Sequence, residues 1–131
     1  MIPALSWVDL QIIDRHDLAL ELFEALAAHG LTAGQRRELL FWMAESHAGE
    51  GHAAKAAELY LRSAKGQGQD HDSWGLSARF QAADAMTKGG FYEDARMTYS
   101  GLLRVTQNEK RRLQIRQRLQ QLKLLQAVDK R

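Results

Sequence analysis

Apolar residues recur at three- and four-residue spacing in blocks about a dozen residues long, separated by short polar stretches that contain glycine. That period belongs to packed amphipathic helices, not strands. The pattern predicts helices over 36–48 and 53–65, parted by Gly49-Glu50-Gly51. Two more are expected over 76–88 and 92–105, parted by Gly89-Gly90, and a last one over 109–128. Upstream, Trp7 and Leu10 fit one helix, Asp14-Arg15-His16 a turn, and Ala19, Phe23 and Leu26 a second. Thr32-Ala33-Gly34-Gln35 and Thr106-Gln107-Asn108-Glu109 have the form of capping boxes, with a threonine oxygen and a glutamine or glutamate side chain satisfying the first free amides. His29-Gly30 fits a helix end. Residues 66–72 form a polar connector that closes on a capping aspartate, Asp72. A single proline and ten glycines in 131 residues favour helix throughout.

The blocks repeat. A shift of 39 residues superposes Phe41 on Phe80, Ala44 on Ala83, Glu45 on Asp84, Gly51 on Gly90, Ala56 on Ala95 and Tyr60 on Tyr99. Aromatic, small, acidic and glycine positions match together, which helical composition alone rarely produces. Alanines at these sites allow close helix approach, and the tyrosines fill space between helix pairs. Gly90-Phe91-Tyr92-Glu93-Asp94-Ala95 followed by Tyr99 resembles the turn and second helix of the tetratricopeptide repeat. Gly51, Ala53, Ala56 and Tyr60 match the same motif, with Ala53 where the family has an aromatic residue. The intervals Ala19 to Ala56 and Ala56 to Ala95 exceed the family period of about 34 residues. The inter-repeat proline is also missing, so another helical-hairpin solenoid family stays open. The resemblance implies an all-α superhelix in a single domain, 1–131. Its units would be 3–30, 33–66 and 72–106, with a capping helix at 109–128. The chain is expected to be a section of a longer bacterial protein.

A hydrophobic fraction of 45% and a charged fraction of 26% suit an ordinary globular chain. No apolar run approaches the roughly 18 residues that would span a bilayer. The N-terminus lacks the basic region of a signal peptide. Absence of cysteine excludes disulfides and thiolate metal sites. The expected compartment is the cytoplasm, or the periplasm if the chain belongs to a longer exported protein. Net charge is +2 but uneven. Residues 1–65 hold six basic and nine acidic side chains; residues 66–131 hold twelve and seven.

In the tetratricopeptide family the first helix of each pair lines a concave, peptide-binding face. Carried onto this chain, that face comprises Glu38, Phe41, Glu45, Ser77, Phe80, Asp84 and Lys88, with Leu5 and Val8 from the first unit. Phe41 with Glu45, and Phe80 with Asp84, share a helix face at four-residue spacing. They form aromatic platforms flanked by exposed acids, suited to a basic or amide-rich peptide or helix. The plainer alternative is that both phenylalanines pack between neighbouring first helices. Acidic chaperone tails, which the family grips with lysine and asparagine, would be repelled by Glu45 and Asp84.

The last helix carries Lys110, Arg111, Arg112, Arg116, Arg118 and Lys123 against Glu109. Ile115, Leu119 and Leu122 make one apolar stripe; Leu113, Leu124 and Val128 fall nearly opposite. The second stripe is a candidate interface for a further repeat or a second copy of the chain. Arg111, Arg112 and Arg116 are candidate anion contacts, although a solvated capping helix is the simpler reading. Without aromatic residues beyond Tyr99, contact with nucleic acid would run through phosphates alone. Nucleic acid is therefore not the expected partner. His47 and His52, near Glu45 and Glu50, are the most metal-like group, yet they straddle a glycine turn and lack the HExxH spacing. Loop glycines occur without a phosphate-loop lysine, and serines without a nucleophile elbow. The expectation is a non-catalytic interaction scaffold with no cofactor and no metal. Nucleic-acid or anionic-surface binding is the second reading, and a metal-dependent enzyme the third.

Overall fold

A computed structural model describes residues 21, 24–26, 29–65 and 72–129. The first unit, with Leu5 and Val8, lies largely outside the described residues. The remainder is all-helical: α1 (Ala33–Gly49), α2 (Ala53–Ala64), α3 (Ser73–Lys88), α4 (Tyr92–Val105) and α5 (Glu109–Asp129). Helices α2 to α5 each pack on the one before it in the chain.

Local chemistry accounts for most helix boundaries. Thr32 forms the expected capping box on α1: its hydroxyl accepts from the Gln35 amide at 3.2 Å, and the Gln35 side chain accepts from the Thr32 amide at 3.0 Å. Asp72 caps α3 by accepting from the Gly75 amide at 2.7 Å. At α5 the expected cap moves by two residues. Asn108 Oδ1 accepts from the Arg111 amide at 2.9 Å, so Asn108, not Thr106, opens the helix. Thr106 instead closes α4, its amide bonding the Leu102 carbonyl. Its buried hydroxyl has no partner among the described residues. The linker is too short for Thr106 to end one helix and begin the next.

The 39-residue register is also a register of bonds. Gly51 and Gly90 both adopt positive φ, +80° and +83°, where a side chain would be strained. At the first turn the His52 amide reaches the His47 carbonyl (2.9 Å) and the Gly51 amide reaches Ala48 (3.1 Å). Thirty-nine residues on, Phe91 reaches Met86 (2.8 Å) and Gly90 reaches Thr87 (3.1 Å). These are the reversals that satisfy carbonyls at a glycine-terminated helix end and turn the chain back on itself.

Packing divides into two main clusters. Ala44 of α1, Ala56, Ala57, Leu59 and Tyr60 of α2, and Ala82 and Ala85 of α3 form the first. Ala83 of α3, Ala95, Tyr99 and Leu102 of α4, and Ile115 and Leu122 of α5 form the second. Helix α3 is thus covered on two sides, by α2 through Ala82 and Ala85 and by α4 through Ala83. Arg37 ties one end of the stack together. Its guanidinium donates to the Ser63 and Ala64 carbonyls at the end of α2, both at 3.0 Å, and grips Asp72 with both oxygens at 2.7 and 2.9 Å. Trp74 Nε1 adds a bond to the Ser63 hydroxyl at 2.9 Å.

Candidate functional site

The proposed binding residues lie along α1 and α3. Phe41 is half-buried among Trp42, Tyr60 and Trp74, with ring centroids 5.3–5.6 Å away. Phe80 meets Tyr99 edge-on at 5.7 Å, as Phe41 meets Tyr60, with a 70° interplanar angle in both pairs. The Tyr60 hydroxyl donates to Glu45, and the Tyr99 hydroxyl to Asp84. The repeat therefore reproduces a three-residue latch: phenylalanine and acid on the first helix, tyrosine on the second. Burial, then the carboxylate bond, raises both tyrosine hydroxyls above the ordinary phenol range.

The latch alters the expected surface. Glu45 and Asp84 are half-buried acceptors, not freely solvated acids. Tyrosine hydroxyls buried at 3% and 0% residue exposure need an acceptor, and the carboxylates supply it. Phe41 packs against Trp74 of the next first helix, as the plainer alternative has it, whereas the ring beside Phe80 is Tyr99 on the second helix of its own pair. Glu38 and Lys88 are exposed and Ser77 is half-buried.

Asp84 has a further partner that lies 34 residues away in the chain. Arg118 of α5 donates Nε to its carboxylate at 3.0 Å, and its guanidinium sits 5.4 Å from the Phe80 ring centre. The bond to Asp84 raises the Arg118 pKa. Nothing local in the sequence separates Arg118 from the other five basic residues of that helix. Only its azimuth, beside Leu122 and opposite Leu113, placed it on the packed side.

Helix α5 seats Ile115 and Leu122 on α4, while Leu113, Leu124 and Val128 are 55%, 69% and 69% exposed. Its three candidate anion contacts are separated. Arg112 turns inward and donates to the Leu103 and Thr106 carbonyls at 2.6 and 2.9 Å. Arg116 is exposed, and Arg111 faces a cleft beside α4. Arg111 and Arg116 are five residues apart, or about 140° around a helix, so one ligand surface does not meet both.

His47 and His52 bring their Nδ1 atoms to 3.1 Å. Burial, then the neighbouring imidazole, lowers the His47 pKa. Among the described residues no group of three or more histidine, aspartate or glutamate side chains is placed to hold a metal ion. No described helix is long and apolar enough to cross a membrane. Comparison with protein-family models, curated proteins and solved structures finds no match.

Proposed function

We propose that this chain is a tetratricopeptide-like solenoid that works as a non-catalytic protein-interaction module. A peptide or helix would lie across the first helices α1 and α3. The observation that carries this reading is the repeated Phe–acid–Tyr latch. It presents Phe41 with Glu45, and Phe80 with Asp84, in matching geometry on successive hairpins. Side chains fixed by internal partners lose little rotamer freedom on binding, which favours a preorganised contact surface. A carboxylate has about four acceptor sites. Glu45 spends one on Tyr60 and Asp84 accepts from both Tyr99 and Arg118, so each keeps capacity for an amide or basic group of a ligand, Glu45 more than Asp84. Glu38, Ser77 and Lys88 would border that contact.

Selection of displayed peptides on the purified protein, with contacts mapped by amide chemical shifts, tests this reading. Enriched peptides should combine an apolar side chain with basic or amide groups. Their shifts should cluster at residues 38, 41, 77, 80 and 88. Glu38→Lys and Ser77→Arg should weaken binding about tenfold without changing helicity, roughly the effect of losing one good contact. Shifts confined to another surface would overturn the assignment, as would no enrichment over an unrelated helical protein.

A further inference from the structure

The end of the stack where α1, α3 and α5 begin and α2 and α4 finish carries two basic clefts. One, of about 400 Å³, lies between the start of α1 and the end of α2 and presents Arg36, Arg62 and Lys65. The other, of about 970 Å³, lies between α3, the end of α4 and the start of α5, and presents Arg104, Lys110 and Arg111. Lys65 and Arg104 are 39 residues apart and hold the same place in their hairpins, whereas Arg36 and Arg62 correspond to Gly75 and Gly101, and Lys110 and Arg111 come from α5. The Arg37 bonds to Ser63, Ala64 and Asp72 hold the intervening helix ends together on this edge. Among the described residues no acidic side chain lines either cleft. None of the six cations forms an ion pair among the described residues, and Asp72, the cap of α3, is held by Arg37.

Helix stability explains only part of this charge. Arg62 and Arg104 lie in the last turns of α2 and α4, where a cation complements the helix dipole. Arg36, Lys110 and Arg111 lie near the starts of α1 and α5, where a cation opposes it. Cations at unfavourable helix ends, with no ion-pair partner among the described residues, are open to an external anion. We propose that this edge binds the phosphate backbone of single-stranded nucleic acid, running from one cleft to the next. Among the described residues neither cleft is lined by an aromatic ring, so the contact reads phosphates and not bases. Two basic clefts along one edge suit an extended chain of spaced anions better than a compact one. This surface is separate from the first-helix face proposed for a protein partner.

Fluorescence anisotropy with a labelled mixed-sequence 20-nucleotide RNA at 20–200 mM salt tests the proposal. Six phosphate contacts give a log–log salt slope of about −4. Lys110→Gln/Arg111→Gln should lower affinity at least tenfold and make the slope shallower by about 1.4. Arg36→Gln, in the other cleft, should make it shallower by about 0.7. Arg116→Gln/Lys123→Gln, on the far side of α5, should leave both quantities nearly unchanged. Circular dichroism should show undiminished helicity in all variants, because glutamine is a good helix former and the Arg36, Lys110 and Arg111 replacements remove charges that oppose the dipole. Absence of binding at 20 mM salt would overturn the proposal. So would an equal loss in the Arg116/Lys123 variant, which would mean diffuse attraction. Tighter binding of a 20-residue polyglutamate would assign the edge to acidic polypeptide instead. Peptide binding to the first-helix face should persist in every edge variant, so the two proposals fail separately.

Discussion

Replacement of Arg37 by alanine should be among the costliest single changes to a charged residue in this protein. The side chain is 18% exposed and its partner carboxylate 28%. A solvent-exposed ion pair contributes about 0–1 kcal/mol. Stranding one partner of a buried pair costs about 3–5 kcal/mol. Arg37 and Asp72 lie between these limits, and two α2 carbonyls lose a donor as well, so a loss of about 2–3 kcal/mol is expected. For a chain of this size that lowers Tm by roughly 10 °C. Lysine should recover less than half, because a point charge does not reproduce the fork that spans Asp72 and two carbonyls. Acid sensitivity gives a second reading of the same bond. Hydrogen bonds from Arg37, then from the Gly75 amide, hold the Asp72 carboxyl at about 2. Its folded pKa lies below its unfolded value, so the stabilisation is complete above about pH 5 and is lost as pH falls toward 2. Urea unfolding followed by circular dichroism between pH 2 and 6 should show that acid limb in the wild type and a shallower one in Arg37→Ala. A loss under 0.5 kcal/mol, or an unchanged limb, would refute the argument that Arg37 joins the hairpins.

Tyr60→Phe and Tyr99→Phe should each cost about 1–2 kcal/mol in thermal denaturation, the value of a hydrogen bond to a charged acceptor. Arg118→Ala should cost no more than about 1 kcal/mol because its side chain is 37% exposed; the reverse ranking would mean that the arginine, not the tyrosine, holds Asp84. Gly89→Ala would put a methyl group 2.7 Å from the Ala53 Cβ and 2.9 Å from the Phe91 ring. Calorimetry should register a loss of about 1–3 kcal/mol. Gly34→Ala meets nothing within 4 Å and should raise stability by about 0.5–1 kcal/mol through helix propensity. His47, lowered by burial and then by His52, contributes stability that is present above pH 6.5 and lost as pH falls through its folded pKa. Imidazole NMR titration should show the His47 pKa lower in the wild type than in His52→Gln, where the like-charge neighbour is removed.

Local chemistry made much of the fold legible from sequence. The hydrophobic period marks α1 to α5, Thr32 and Asp72 cap by reaching amides three residues away, and Gly51 and Gly90 supply conformations that other residues avoid. The 39-residue match of Phe, acid and Tyr likewise pointed to a repeated unit before its bonds were known. Decisions among chemically similar side chains were different. Arg37 finds its partners 26 to 35 residues away, Arg118 finds Asp84 34 away, and Arg112 spends itself on the carbonyls of the α4–α5 corner. Their neighbours Arg36, Arg116 and Arg111 are left to solvent or to a cleft. Composition and spacing are nearly the same for both sets. The order of helices at each end decided which cation is consumed in holding the stack and which acid is bound by a tyrosine. A buried polar group must find a partner wherever the fold brings one, and that distance in space is not written in the spacing along the chain.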